Sequence, residues 1–220
     1  SAEAIRFARS VAAKRVSALA HRNSLTRNQV IFAGKVKELP TQTVRDLQNG
    51  SAHIVDGERY IAVAVTSASD TQEVLRNPPN AAVGVTNLED GRMPSNANLL
   101  LSSVKIEVGN HATKTDVDDI EYSNVFDAGA LATTFQNGEI EIQANGKVVL
   151  PSTPTSKFFA VGGAAMMDSK GAVMIDLSAP KMIPAGAKVE ITLRKPANGS
   201  LPTGNNFVKV SLLGPETTTK

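Results

Sequence analysis

Apolar and polar residues alternate most clearly between Asn137 and Lys195. Glu139–Ile142 alternates, Asn145-Gly146 follows as a turn, and Val148–Leu150 resumes the apolar run. Lys188–Lys195 then repeats the alternation. Period-two alternation predicts strands with one buried face, because successive side chains leave a strand on opposite sides. Asn-Gly predicts a tight hairpin, since a type I′ turn needs two residues that accept positive φ. The pattern therefore predicts an antiparallel all-β protein.

Similar runs, bounded by Gly, Pro, Asn and Asp, predict strands along most of the chain after Asn28. Asp56-Gly57 predicts a further hairpin, and Thr41–Leu47 is compatible with either a short helix or a strand. The other predicted strands are Val30–Phe32, Lys35–Lys37, Ala52–Val55, Arg59–Val65, Ala81–Thr86, Leu99–Val108, Phe158–Val161, Ala172–Leu177 and Phe207–Leu213.

These elements amount to roughly nine to twelve short strands separated by turns, as expected of a β-sandwich or jelly roll. A single jelly roll is favoured over a double one, because two eight-stranded rolls would leave little loop in 220 residues. The predicted organisation is a basic helical arm over residues 1–27, a jelly-roll β-sandwich over 28–213 and a polar tail over 214–220.

The N-terminal arm is predicted to be helical from Ser1 to Arg22, because this stretch is rich in Ala, Arg and Leu and lacks Gly and Pro. Residues 1–37 carry a net charge of +7, whereas the remaining residues carry −5. Such asymmetry favours contact with an anionic partner, either lipid or nucleic acid. A solvated terminal arm is the simpler alternative. The candidate contact residues are Arg6, Arg9, Lys14, Arg15, Arg22 and Arg27.

The amino-acid composition argues against several classes of function. Hydrophobic residues make up 41% of the chain, but aromatic residues only 4%, and Trp is absent. An aliphatic core is therefore expected, with little surface on which sugars or bases could stack. With no cysteine, neither a disulfide nor a thiolate metal site can form. Arg6 and Arg9 interrupt any signal-peptide core, so nothing in the N-terminal sequence points to secretion.

Candidate catalytic and metal-binding residues are few. The sequence contains three histidines, His21, His53 and His111. None of them has another potential metal ligand at the spacing typical of a metal site. The acidic segment 116–119 lacks the later Gly and Glu of an EF-hand loop, which favours a solvated loop over a calcium site. Glu139 and Glu141 could imitate an acid/base pair, but the outer face of an amphipathic hairpin explains them without any catalytic role and is the favoured interpretation.

No Gly-x-Ser-x-Gly motif and no phosphate-binding loop occurs in the sequence. The prediction is accordingly a protein that is not an enzyme, with no catalytic, cofactor or metal site. A cupin-type enzyme would need a converging His/Glu metal set, for which the isolated histidines are poor candidates.

The second half of the chain contains a series of short motifs: Met93-Pro94 leading to Leu99–Leu101, Asn137–Ile142, Asn145–Leu150, Pro154–Phe158 and Leu177–Val189. In this order, over about residues 93–213, they resemble the jelly-roll structural proteins of tailless icosahedral bacteriophages. The resemblance implies a capsid subunit of a virion, made in the host cytoplasm and self-assembling as a trimer or larger oligomer with other virion proteins. Its basic arm would face the interior, toward a membrane or the genome. The alternative is a ligand- or receptor-binding β-sandwich module of a viral fibre or spike.

Overall fold

The computed structural model describes residues 27–65, 71–73, 81–123, 137–158, 174–196 and 201–219. Helices α1 (Arg27–Lys35) and α2 (Thr41–Asn49) come first, joined through a short 3-10 turn, Val36–Glu38. Two further 3-10 turns cover Val117–Asp119 and Thr155–Phe158. The strands are β1 (Ala52–Val65), β2 (Thr71–Glu73), β3 (Ala97–His111), β4 (Glu139–Ala144), β5 (Lys147–Pro154), β6 (Ile175–Ile183), β7 (Val189–Arg194) and β8 (Asn205–Thr219).

The strands form two antiparallel sheets of four. Sheet I has the order β1-β8-β3-β6, and sheet II has the order β2-β7-β4-β5. Apolar side chains of both sheets meet in one core, for example Ile61 and Leu99 of sheet I with Ile142 and Ile191 of sheet II. The protein is therefore an all-β sandwich, as the sequence predicted. Phe158 is the one aromatic residue in this described core, which confirms the aliphatic composition expected for it.

The β4–β5 hairpin confirms the Asn-Gly prediction. Asn145 and Gly146 have φ angles of 48° and 71°, as a turn with positive φ at both central residues requires. The alternation on β4 is also as predicted, because Ile140 and Ile142 are fully buried.

The hairpin predicted at Asp56-Gly57 is wrong. The chain passes straight through this dipeptide in β1, which pairs with β8 in unbroken register from Ala52 to Val65. Gly57 is needed for space and not for a turn: a Cβ at this position would lie 2.7 Å from the Cβ of Glu216. Pairing with a strand distant in sequence overrides the local turn signal.

The strands predicted at Val30–Phe32 and Lys35–Lys37 are also wrong, because this segment forms α1 and the following 3-10 turn. The unresolved choice for Thr41–Leu47 is settled as helix α2. A small second core explains these helices. Phe32, Val36, Leu39 and Val44 are buried against Leu100 of β3, on the outer face of sheet I. The helices therefore form a third layer over one sheet.

A β-bulge in β3 directs the side chain of Leu100 toward this second core. The register of β3 with both β6 and β8 shifts between Leu99 and Ser103. Leu101 and Val104 face the main core, whereas Leu100 faces the helices. Gly214 of β8 makes room for the bulge, since a Cβ there would collide with the carbonyl oxygen of Leu100.

Strand β8 is longer than expected. The sequence predicted Phe207–Leu213 followed by a polar tail, yet the strand continues to Thr219, so the tail is wrong over residues 214–219. Glu216 and Thr217 are buried there. The Thr217 hydroxyl accepts hydrogen bonds from the backbone and side-chain nitrogens of Asn98. Partners contributed by β3 to Thr217 and by Arg59 of β1 to Glu216 make this polar segment part of a central strand.

The remaining predicted strands differ mainly in their bounds. Ala81–Thr86 is a tight turn in which Ala82 and Thr86 form isolated bridges, not a regular strand. Phe158 ends a 3-10 turn, and residues 159–161 lie outside the described part of the chain. The described residues contain eight strands, compared with the nine to twelve short ones expected, and three of the eight span 14 or 15 residues.

Candidate interaction surfaces

Helix α1, the first described element, lies over the outer face of sheet I. Arg27 is the first residue of α1, and this helix contacts β3 and β8. The other predicted contact residues, Arg6, Arg9, Lys14, Arg15 and Arg22, lie outside the described residues. The described structure thus fixes the point from which the arm departs, on the side of sheet I that faces away from the main core.

Among the described residues, His53, His111 and the acidic segment 116–119 do not converge. The His111 Nδ1 atom accepts hydrogen bonds from the backbone N–H groups of Thr113 and Lys114 and so shapes a turn. His53 is exposed on β1, and His21 lies outside the described residues. Asp116, Asp118 and Asp119 are exposed. Across the described ranges, no three His, Asp or Glu side chains are placed to hold a metal ion.

Glu139 and Glu141 lie on the outer face of the hairpin, which confirms the interpretation favoured from the sequence. The Ser152 hydroxyl donates a 2.6 Å hydrogen bond to Glu139, and the side-chain amide of Gln143 donates one of 2.6 Å to Glu141. Each carboxylate therefore has its own neighbour on the surface.

A polar cluster on the outer face of sheet I has Lys209 at its centre. The Lys209 Nζ atom lies 4.7 Å from the ring centroid of Tyr60 and 5.8 Å from that of Tyr122, within the range of cation–π attraction. The Tyr122 hydroxyl donates a 2.8 Å hydrogen bond to the Val117 carbonyl and ties the 117–119 turn to the sheet. Burial, followed by the charges of Asp118 and Glu107, raises the pKa of Tyr122 to about 12.

A buried ion pair joins β1 to β8. The Arg59 Nε atom donates a 2.8 Å hydrogen bond to Glu216 Oε2, and its Nη2 atom contacts Oε1. The side chain of Glu216 is only 5% exposed and that of Arg59 17%. Sequence reasoning missed this pair, although a signal existed: Arg59 is in phase with Ile61, and Glu216 with Leu212, so both occupy core-facing positions.

A cleft of about 480 Å³ opens at the end of the sandwich where β1 ends and β8 begins. Its described lining includes Val65, Leu201, Asn206 and Phe207, and none of the described residues that line it is ionisable. Asn206 organises one wall, because its side-chain nitrogen donates to the carbonyls of Pro202 and Gly204. The described lining groups offer a polar rim of backbone, amide and threonine hydroxyl groups and contain no ionisable side chain.

Exposed apolar side chains occur on several elements and not in one broad patch. Val83 is 95% exposed at the tip of the 82–86 turn, and Val148 is exposed beside the β4–β5 turn. Ile54 and Val55 are exposed in the N-terminal half of β1. Val148 lies on the edge strand β5 of sheet II, and the adjacent pair lies on the edge strand β1 of sheet I.

A scan against protein-family models finds no matching family, and no curated protein matches the sequence. Among the helices in the described ranges, none has the length and apolar character required to cross a membrane.

Proposed function

We propose that the two sheets form a single jelly roll. The support is the strand order, in which antiparallel partners follow the sequence 1–8, 2–7, 3–6 and 4–5. Consecutive strands alternate between the sheets except at β4 and β5, which share the hairpin of sheet II. A chain folded back on itself into four strand pairs and then wrapped into two sheets has this order, which is the path of an eight-stranded jelly roll.

We further propose that the protein is a structural virion subunit that self-assembles into the shell of a tailless icosahedral bacteriophage. Jelly rolls occur in capsid proteins, lectins and cupins, so the fold alone does not decide among them. The strand order supports a jelly-roll body, and the charge of residues 1–37, +7 against −5 for the remaining residues, carries the choice of the capsid role. The protein is accordingly made in the host cytoplasm and resides in the virion.

The arm is proposed to face the interior of the shell. Helix α1 is held on the outer face of sheet I by Phe32, which is fully buried, so the described chain begins at that face. The basic side chains of the arm would contact anionic lipid or packaged nucleic acid. Contacts of this kind weaken with salt, by counterion release for nucleic acid and by screening for lipid.

A truncation that keeps α1 tests this role. Removing residues 1–26 leaves Phe32 and the helix layer in place, so the β-sandwich should stay folded while particle formation or association with lipid or nucleic acid is lost. The matched control replaces Arg6, Arg9, Lys14, Arg15 and Arg22 by Gln and keeps the length of the arm. Both variants should lose the salt-dependent association.

The two variants also show what the arm contributes. If particles and their lipid or nucleic-acid content are unchanged without residues 1–26, the role of the arm is refuted. A monomer that binds a glycan would favour the alternative expected from the sequence, a ligand-binding module.

A further inference from the structure

The edges of the two sheets differ in how well they are protected. A sheet edge presents backbone groups that another strand can bind, and proline or a short strand blocks such pairing. The edge strand β5 contains Pro151 and Pro154, and the edge strand β6 contains Pro180. The edge strand β2 spans three residues. Strand β1, with 14 residues and no proline, is the exception among the described edges.

The C-terminal half of the β1 edge is covered by its own chain. The Ala62 N–H donates a 2.7 Å hydrogen bond to the Val85 carbonyl. The side-chain amide of Asn87 donates a 2.7 Å bond to the carbonyl of Glu58, and its backbone N–H donates to the carbonyl of Tyr60. Residues 85–87 thus act as a short extra strand beside this half of β1.

These bonds also reveal which backbone groups of β1 point outward. The even-numbered residues 58, 60 and 62 bond to residues 85–87, so their backbone groups face away from β8. Outward and inward directions alternate along an antiparallel strand, and the β1–β8 register is unbroken. The backbone N–H and C=O of Ile54 therefore also point outward.

The N-terminal half of this edge has no such cover among the described residues. No described segment outside sheet I forms a bridge with β1 before Ile61. The side chains of Ile54 and Val55 are 36% and 42% exposed there, within a regular strand. This combination of an outward backbone and exposed β-branched side chains is suited to strand addition.

We propose that a second copy of this chain occupies this edge. The two β1 strands pair antiparallel about a twofold axis centred on Ile54, so that sheet I of one copy continues into sheet I of the other. Each Ile54 N–H donates to the partner's Ile54 carbonyl, and the two Ile54 side chains lie side by side on the outer face. The inference rests on the proposed shell function and names one contact through which copies assemble.

Charge disfavours two of the neighbouring registers. A pair centred on Asp56 would oppose two carboxylates, which destabilises a sheet. A pair centred on Val55 would place each Ile54 against the carboxylate of Asp56. Centring on Ile54 instead places Asp56 opposite Ala52 and Val55 opposite His53, so no like charges meet. Self-pairing about a twofold axis is also the commonest way in which identical chains associate.

Single cysteines test the contact, because the natural chain contains none. Residues that face each other in a hydrogen-bonded pair have Cα atoms about 5.5 Å apart, which a disulfide can bridge. Under mild oxidation Ile54→Cys should therefore give covalent dimers. Val55→Cys, equally exposed but displaced in the register to about 8 Å between Cα atoms, should cross-link far more slowly. Val83→Cys controls for random collision.

The outcomes distinguish a failure of the proposed edge contact from a failure of the proposed shell function. Equal or faster cross-linking of Val55→Cys, or no cross-linking of either variant, overturns the edge contact. Particles that persist while Ile54→Cys fails to cross-link refute the edge contact and leave the shell function intact. Cross-linked dimers of a protein that never forms particles refute the shell function and leave the contact.

A proline variant tests the backbone bonds directly. Ile54→Pro removes an N–H that points away from β8, so the bonds that hold β1 in its own sheet are retained. Loss of the two intersubunit bonds should weaken self-association at least about tenfold. Ile54→Val retains the N–H and should associate as the wild type does. Wild-type association of Ile54→Pro, measured by sedimentation, contradicts the proposal.

Discussion

Replacing Arg59 by Met should destabilise the fold far more than the loss of an ordinary ion pair. Met fills part of the volume of the arginine side chain but leaves the carboxylate of Glu216, 5% exposed, without its partner. Breaking a buried pair from one side costs about 3–5 kcal/mol. With a urea slope of about 2 kcal/mol/M, the unfolding midpoint should fall by about 2 M.

Two control variants test whether the unpaired carboxylate of Glu216 causes the loss of stability. The double variant Arg59→Met/Glu216→Leu should recover most of the loss, because an apolar pair of similar volume replaces both charges. Lys188→Met breaks a 2.7 Å pair with Glu190 in which both side chains are about 40% exposed, and it should cost less than about 1 kcal/mol. All variants are unfolded in urea at one subunit concentration. If Arg59→Met costs no more than Lys188→Met, or if the double variant recovers nothing, the buried carboxylate is not the cause.

Two further predictions concern the polar cluster and the bulge. The pKa of Tyr122 is about 12 in the folded protein and 10.0 for the free side chain, so Tyr122 ionises at lower pH in the unfolded chain than in the folded one. The contribution of Tyr122 to the free energy of unfolding is therefore complete below pH 10 and is lost as the pH rises toward 12. Unfolding measured across this range should show a smaller decline for Tyr122→Phe than for Tyr60→Phe, and equal declines would contradict the assignment. Gly214→Ala should lower the free energy of unfolding by about 1–3 kcal/mol, because its Cβ collides with the Leu100 carbonyl. Gly34→Ala in α1, where a Cβ meets nothing within 4 Å, should instead raise it by about 0.5–1 kcal/mol; a Gly214→Ala protein as stable as the wild type would refute the crowding.

The fold class was predictable because alternation and turn chemistry are local. The alternation of β4 and the turn at Asn145-Gly146 depend on neighbouring residues alone, and both appear as predicted. Asp56-Gly57 gives the same kind of signal but lies within a strand that β8 pairs along its whole length. The competing interaction comes from residues about 160 positions away, which a turn motif does not encode.

The helix layer and the end of β8 were mispredicted for a related reason. Val30 to Phe32 has the β-branched and aromatic character of a strand, yet Phe32 is fully buried in a helix because Leu100 emerges from a bulge to meet it. The Thr-rich segment after Gly214 has the composition of a tail. It is a strand because Asn98 bonds to Thr217 and Arg59 pairs with Glu216.

The two candidate surfaces, the basic arm and the edge of β1, also differ in how far the sequence predicts them. The basic arm is a prediction from charge alone, because charge asymmetry is a property of the sequence. The edge of β1 could not be predicted in this way, because it depends on which half of the strand residues 85–87 cover. A local sequence window shows neither the partner of a strand nor where that partner ends.

The size in solution of the species that this 220-residue chain forms tests the central claim most directly. Sedimentation velocity at micromolar concentration, with negative-stain electron microscopy of the same sample, measures it without any variant. The proposed shell function predicts closed particles, or trimers and larger oligomers, far heavier than the 23.1 kDa chain. A single 23.1 kDa species at every concentration and salt condition would contradict it.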